Sequence, residues 1–417
     1  SIIAEIKKAS PSAGIIIDNY NPVDIAQIYL NNKATCLSVL TEEDFFLGNL
    51  IHISKIKDKI NLPVLCKDFF IDKFQVPLAK SYGADAILII LAGVSEKTAD
   101  EIYAEALKHP GDFSSRVTDF FADDANINIV HPFNQFNGSN AYLEEFLIPL
   151  QVSFNGLYRR DDIFMLGKFE GQKWISSTGY YIGHFAKDWI GLRAPKKLSY
   201  LRYGEFHRIE NDRAVETYIY LDIPELMIAC NQWPLDMGPG HSRGYTGMIQ
   251  GPASRDGFLT EASDPYEGEL SYQIVTDMLA KLATKDEAWR PYWHDNMMWY
   301  GPGAFGSFVG VDEFASFQVP FESQIEGWSG GSKNNGLTKH FTRFGDGNYT
   351  CSGGWPSLTG VNVKPFLGQG PSFERVFMRV CDWWRRENEL LVENWVFVDV
   401  PHVLLQLGYD PLPAWEK

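Results

Sequence analysis

Cysteine is scarce: five in 417 residues (Cys36, Cys66, Cys230, Cys351 and Cys381), an odd number at scattered spacings with no CxxC pair. That argues against a disulfide scaffold and fits a reducing compartment, so a cytoplasmic location is expected. No run approaches the roughly 18 apolar residues of a membrane span. The opening SIIAEIKKAS has no long apolar core, no cleavage site and no initiator Met, which reads as a fragment or a processed start. Basic residues are outnumbered, 37 Lys and Arg against 53 Asp and Glu for a formal charge of −16. Neither nucleic acid nor an anionic membrane surface is therefore expected as a partner, since phosphate neutralisation needs clustered cations. The nine histidines lack HExxH or HxH spacing, so no metal site is expected. What the chain does have is packing material, 45% hydrophobic and 14% aromatic, enough for roughly three domains at this length.

The strongest internal signal is a duplication. Arg202 to Pro224 (RYGEFHRIENDRAVETYIYLDIP) and Arg379 to Pro401 (RVCDWWRRENELLVENWVFVDVP) align without a gap at an offset of 177 residues. Arg202/Arg379, Arg208/Arg385, Glu210/Glu387, Glu216/Glu393, Asp222/Asp399 and Pro224/Pro401 are identical pairs. Such a repeat defines the folding unit before any residue is given a role. Each copy reads as a hairpin feeding a short helix. Alternation puts Val215, Thr217, Ile219 and Leu221 on one face and Glu216, Tyr218, Tyr220 and Asp222 on the other; the second copy sets Val392, Asn394, Val396 and Val398 against Glu393, Trp395, Phe397 and Asp399. Aromatics between acids suit a concave pocket better than a solvated face. The face carrying the acids is therefore expected to line a pocket.

Residues 1–109 follow a different rhythm. Apolar runs at Ile2–Ile6, Ala34–Leu40, Leu62–Asp68 and Ala84–Ile90 alternate with helix-like segments near 22–31, 48–60, 72–82 and 95–108. Continuous apolar strands separated by helices predict a parallel sheet of four βα units. IIAEIKKASPSAG, CLSVLTEEDFFLGN, LPVLCKDFFIDKFQV and GADAILIILAGVS resemble the first half of the barrel of indole-3-glycerol-phosphate synthase, the ring-closing lyase of tryptophan synthesis. The resemblance implies Lys67 as general acid, Glu5 and Lys7 as active-site and substrate-binding groups, Ser10 at the phosphate and Phe69 as a wall of the indole site. Independently of that, Lys7 and Lys67 fall at the carboxyl ends of their strands, where parallel barrels keep their chemistry; ordinary solvated lysines are the alternative. A closed barrel needs eight strands. The fifth to eighth are missing, with the family's general-base glutamate, and so is the usual extension before the first strand; the segment is not expected to run the lyase reaction unaided.

After His109-Pro110-Gly111 the pattern changes to helix followed by long strands, twice over: helices near 114–122 and 269–283, corners NIVHPFNQFNG and MMWYGPGAFGS, second helices Tyr142–Val152 and Asp312–Phe321, then strands ending in the repeated hairpin. This predicts two α+β cones. The endings VETYIYLDIPELMIAC and VENWVFVDVPHVLLQLG look like the SnoaL-like polyketide cyclase family of the nuclear-transport-factor-2-like superfamily. The resemblance implies cofactor-free acid/base chemistry on a small carbonyl compound, with Asp399 and Asp222 as the pocket acids and His207 as a partner in the first copy. Trp384 stands where His207 does, so both copies cannot share a His/Asp mechanism. Tyr218, Tyr220, Trp395 and Phe397 would form the walls, with Glu216 and Glu393 as further pocket acids. Three alternatives stay open: Asp222-Ile223-Pro224-Glu225 also reads as a capping box, the two glutamates could pair with Arg202 and Arg379 across the hairpin, and His207 could be a polar lining residue.

GPGAFG (Gly301–Gly306) fits GxGxxG without a following βαβ unit and is expected to be a turn. GWSGG (Gly327–Gly331) fits GxSxG but runs into SKNN rather than a helix. The expected organisation is thus a partial (β/α)8 barrel at 1–109, cones at 112–235 and 268–417, and a linker at 236–267; the expected partner is a small-molecule substrate, with a homo-oligomer left open. A non-catalytic binding or assembly role for the cones is the rival reading, since fold does not fix function.

Overall fold

The computed structural model describes residues 2–106, 117, 119–240, 248–260, 263–282, 287–330 and 336–414. The chain divides at residue 113 into two compact units. In the first, strands and helices alternate: β1 (Ile3–Ile6), α1 (Pro22–Asn31), β2 (Cys36–Leu40), α2 (Ile51–Lys57), β3 (Val64–Lys67), α3 (Gln75–Ser81), β4 (Ala86–Ile87) and α4 (Glu96–Ala106). The four strands are parallel and lie in chain order. Ala4, Ile6, Leu37, Val39, Val64 and Cys66 join Ile53, Ile56 and Val76 of the helices in one core. The unit is half of a (β/α)8 barrel, as the strand rhythm predicts.

The second unit contains two cones built to one plan. The first runs β5 (Phe121–Ile129), β6 (Asn134–Asn137), α5 (Ser139–Tyr142), a π-helical turn (Leu143–Leu147), α6 (Ile148–Ser153), β7 (Phe154–Phe169), β8 (Gln172–Phe185), β9 (Lys197–Glu210), β10 (Arg213–Leu221) and α7 (Ile223–Ala229). The second runs α8 (Pro265–Leu282), β11 (Trp293–Tyr300), β12 (Ser307–Val309), α9 (Val311–Glu322), β13 (Ile325–Gly330), β14 (His340–Asp346), β15 (Tyr349–Asn362), β16 (Arg375–Glu387), β17 (Leu390–Val398) and α10 (Val400–Gln406). Sheet orders β6-β5-β10-β9-β8-β7 and β12-β11-β17-β16-β15-β13 correspond strand for strand, and in each cone the last strand lies parallel to the first. One difference matters below: the long β7 of the first cone is replaced in the second by β13 and β14, which pair with different parts of β15. Of the helix expected at 114–122, residues 114–116 and 118 lie outside the described residues, as does the junction at 109–112; Phe121 and Ala122 open β5 instead of continuing a helix. No helix among the described residues is long and apolar enough to cross a membrane.

The repeated hairpins hold the cones together, and here an expectation is corrected. The face carrying Glu216, Tyr218, Tyr220 and Asp222, with its counterpart in the second copy, forms the interface between the cones. The Tyr218 ring stacks on Phe341 with centroids 3.6 Å apart. Tyr220 donates its hydroxyl to Gly354 O at 2.9 Å, and Trp383 stacks on Phe206 while its indole N–H reaches Ser176 Oγ at 2.8 Å. Trp395 donates to Gln250 O at 3.0 Å. The Arg202 guanidinium lies 4.1 Å over the Phe397 ring. Alternation separates two faces but does not say which one meets the partner sheet; a second copy supplies an apolar, aromatic surface that a lone cone would have to hide.

Each closing aspartate is turned onto the other cone. Asp222 accepts from Gly303 N at 2.8 Å, and Asp399 accepts from His131 N at 3.1 Å. Arg202 donates to Gly301 O at 3.0 Å; Arg379 donates to Asn134 Oδ1 at 3.1 Å. A Cβ on Gly303 would lie 2.4 Å from Glu225 N, so only glycine permits this approach. The stretch expected as a linker is packed as well: Gly238 N donates to Ala304 O at 2.9 Å and Ala253 N to the Glu393 carboxylate at 3.3 Å. Trp383 is fully buried between the sheets, so Trp383→Ala is expected to destabilise the second unit by about 3–5 kcal/mol; an unchanged urea midpoint for that unit would contradict the interface described.

Candidate functional site

The inward face of the second sheet carries the opposite set of residues, and they surround a cavity of about 120 Å³. Asn394, Val396 and Val398 of β17, Val380, Asp382 and Trp384 of β16, and Ser352 of β15 line it, with Met278 of α8 and Phe314, Phe317 and Phe321 of α9 closing over the top. The volume is of the order of an engineered cavity that takes up one benzene, so the site suits a ring-sized molecule. Walls of aromatic rings with a few convergent polar groups are what small-molecule sites generally present.

Asp382 is the notable group. Asn394 donates to its Oδ1 at 3.4 Å and to Trp383 O at 3.1 Å. Asp382 is half-buried and lines the cavity. Desolvation raises its pKa to about 7, against smaller opposing effects of the Asn394 bond and of Arg343. His340, also on the cavity wall, is pushed the other way, to about 4, by burial and then by the Arg343 charge. At neutral pH the cavity therefore holds a neutral imidazole and a carboxyl group poised between its two forms. Gln318 donates to Glu322 at 2.8 Å on the opposite wall.

The first cone holds the matching acid, Glu205, at the same offset of 177 residues, in a different state. It accepts from Tyr181 at 2.7 Å, is bonded to Arg159, and lies 3.4 Å from His207 Nε2. Burial alone would raise its pKa, but Arg159 and His207 bring it down to about 2. His207 is a buried member of this network, its Nδ1 2.9 Å from Thr217 Oγ1 and its ring edge-on to Phe120. That is the polar-lining alternative. Glu205 and Asp382 stand in the repeat as a conservative acid pair, each two residues before His207 or Trp384, on the strand face opposite the interface. The signal was legible once the inward face was known.

The expected pocket acids do other work. Asp222 Oδ1 accepts from Glu225 N at 3.1 Å and Asp399 Oδ1 from His402 N at 3.2 Å, so both cap the following helix. The capping box is not completed: Glu225 accepts from Tyr180 at 3.0 Å instead, and burial together with Asp222 raises its pKa to about 8. Glu216 pairs with Arg208 at 2.9 Å and Glu393 with Arg385 at 2.5 Å, rather than with Arg202 and Arg379. Those two arginines pair with the aspartates, at 3.5 and 3.0 Å. Tyr218, Tyr220, Trp395 and Phe397 lie in the interface described above and line no part of this cavity.

In the first unit three of the expected groups meet. Glu5, inside β1, is bonded to Lys67 at the end of β3 and to Lys7 at 2.7 Å. Partial burial would raise the Glu5 pKa, but the hydrogen bonds from Lys67 and Lys7 leave it lowered. Ser10, in a two-residue strand paired with Gly14–Ile15, accepts through Oγ from Ala13 N at 3.2 Å, and Phe69 is 43% exposed beside β3. The cluster is therefore assembled at the carboxyl end of the sheet, with Ser10 and Phe69 outside it.

The family model for indole-3-glycerol phosphate synthase matches residues 1–111. The indole-3-glycerol phosphate synthase of Aliarcobacter butzleri is 50% identical over 105 residues, 25% of this chain and 40% of that protein. That of Sulfurimonas denitrificans is 35% identical over 189 residues, 44% of this chain and 72% of that protein. The chain thus spans 40% of the length of the first of these relatives. Among solved structures, a candidate SnoaL-like polyketide cyclase from Jannaschia sp. CCS1 is 14% identical, with 37% of this chain and 99% of that chain covered, at a TM-score of 0.30.

A raised carboxyl pKa has a signed consequence. Unfolded, Asp382 ionises in the usual carboxylate range; folded, it holds its proton to about pH 7. Stability is therefore lost as pH rises through that interval, by about 4 kcal/mol in total. Asp382→Asn should raise the unfolding midpoint at pH 8 and leave it nearly unchanged near pH 3.5; equal effects at both pH values would mean the acid is not desolvated.

Proposed function

The chain belongs, through its first 111 residues, to the indole-3-glycerol phosphate synthase family, and with only half of a barrel in that unit we propose that the chain's own chemistry lies in the second cone. The function is acid/base catalysis on a small, ring-sized carbonyl compound. Asp382 takes a proton from the carbon beside the carbonyl, giving an enolate, and returns that proton once the enolate carbon has attacked a second carbonyl of the same molecule. One observation carries this reading: a carboxyl group with its pKa near 7 faces an aromatic-walled cavity. A general base works best when its pKa lies near the working pH. Asp222 and Asp399 are assigned to helix capping and the interface, and His207 to the first cone's buried network.

Deuterium exchange into cyclohexanone, followed by NMR, tests the proton-abstraction step without knowledge of the natural substrate. The chain is expected to accelerate exchange. Asp382→Asn should remove about 100-fold or more of that acceleration, while Asp399→Asn lowers stability and keeps it. No acceleration, or acceleration indifferent to Asp382, favours a non-catalytic binding role for the cones.

A second reading attaches to the Glu5, Lys7 and Lys67 cluster, which sits where a (β/α)8 barrel keeps its catalytic groups. We assign it residual affinity for the anthranilate-ribulose-phosphate type of substrate without ring closure, because four of eight strands leave the far side of such a site unbuilt. Indole fluorescence on adding that substrate is expected to show no product. A ring-closing rate abolished by Lys67→Ala would reverse this assignment.

A further inference from the structure

An arrangement of arginine, serine and acid occurs in both cones. In the first cone Arg159 Nη2 donates to Ser177 Oγ at 2.7 Å, and Ser177 lies directly opposite Glu205 in the strand pairing. In the second, Arg343 Nε donates to Ser352 Oγ at 3.2 Å, and Ser352 lies directly opposite Asp382. The two arginines come from different register positions: Arg159 of the long β7 lies opposite Tyr181, whereas Arg343 of β14 lies directly opposite Ser352. The same contact is therefore reached twice by different routes. In the first cone Arg159 continues to Glu205. In the second the acid faces the cavity, and so does Ser352, although only 3% of the serine is exposed.

A hydroxyl has one donor and two acceptor positions. With Arg343 donating to the oxygen, the hydroxyl proton of Ser352 must turn away from the guanidinium, and it makes no other hydrogen bond among the described residues. A buried donor without an acceptor is destabilising, and a ligand oxygen in the cavity would relieve it. Resting on the function proposed above, we propose that Ser352 is a further catalytic residue that donates to the substrate's carbonyl oxygen across from Asp382, with Arg343 as the positioning residue that orients and polarises its hydroxyl. The substrate is then an uncharged ring-sized compound with an acceptor oxygen, and negative charge developing on that oxygen strengthens the Ser352 bond as the proton leaves carbon. Donors set in advance where charge develops lower the barrier in this way.

The probe is 4-nitrophenol, a ring bearing one ionisable oxygen whose yellow phenolate reports its own protonation. Saturable binding to the wild-type chain, displaced by cyclohexanone, tests the cavity itself; absence of binding overturns both the function and this inference. The donor is then tested in the Asp382→Asn background, which removes the competing titration. There the bound phenolate-to-phenol ratio is expected to exceed that of the free probe. Adding Ser352→Ala should lower the ratio about tenfold or more, and adding Ser352→Thr, which keeps the hydroxyl and reports on any packing fault, should largely preserve it. A ratio unchanged by Ser352→Ala, with binding intact, overturns the donor role and leaves the cavity and Asp382 standing; equal loss in the Ala and Thr variants overturns it too, as a packing effect.

Discussion

The second unit depends on one reciprocal contact: the aspartate that ends each repeated hairpin is bonded to a backbone N–H of the other cone's corner, Asp222 to Gly303 and Asp399 to His131. Each aspartate also caps its own helix and faces its own arginine. A buried carboxylate is tolerated when paired and hydrogen-bonded, and removing a partner from such a set is more damaging than never having had it. The contact therefore fixes where each hairpin ends, which way each short helix starts, and how close the corners come. It has the self-complementary logic of a two-fold dimer interface, carried out within one chain, so its strength does not depend on protein concentration. Because the hairpins' aromatic face is consumed by this interface, the opposite face is left to build each interior.

Duplication lets the interiors diverge while the interface holds them both. In the first cone β7 delivers Arg159 to Glu205, and the acid is ionised, bonded and enclosed. In the second, β13 and β14 divide that strand's role along β15, and Arg343 makes its bond to Ser352 while Asp382 hydrogen-bonds the Asn394 amide. The difference between a silent acid and a titratable one is thus a difference in how one edge of the sheet is built. His207 and Trp384 follow the same division: the imidazole belongs to a polar network, the indole to an aromatic wall.

Much of this was legible in the residues. The four βα units, the two cones, the sorting of hairpin residues into two faces, and Asp222 as a helix cap all follow from periodicity and from the offset of 177 residues. What was not legible is which hairpin face looks inward. Alternation has period two and is silent about what each face meets, and tyrosines and tryptophans among acids fit a pocket wall and a domain interface equally well. The choice is made by the partner sheet, a contact between residues more than a hundred positions apart, such as Tyr218 and Phe341. With the faces exchanged, Asp222 and Asp399 take the pocket positions and Glu205 and Asp382 the hidden ones, although those too are an acid pair at the same offset.

The two interiors also bear on why Asp382 stands where it does. A desolvated acid that is ionised above pH 7 weakens the fold, and an apolar or amide side chain of similar volume would pack there without that cost. The chain itself demonstrates a way to keep an acid at this strand position without a raised pKa, because Arg159 does so for Glu205. Stability alone would favour the first cone's solution in both halves. Retaining a carboxyl group beside an aromatic cavity, with a serine hydroxyl opposite and an arginine held one strand further back, exchanges stability for a group that can give and take a proton near neutrality. Perturbed acids in cavities are candidates for functional sites, and the contrast with Glu205 within the same molecule is what singles out Asp382 as the proposed base.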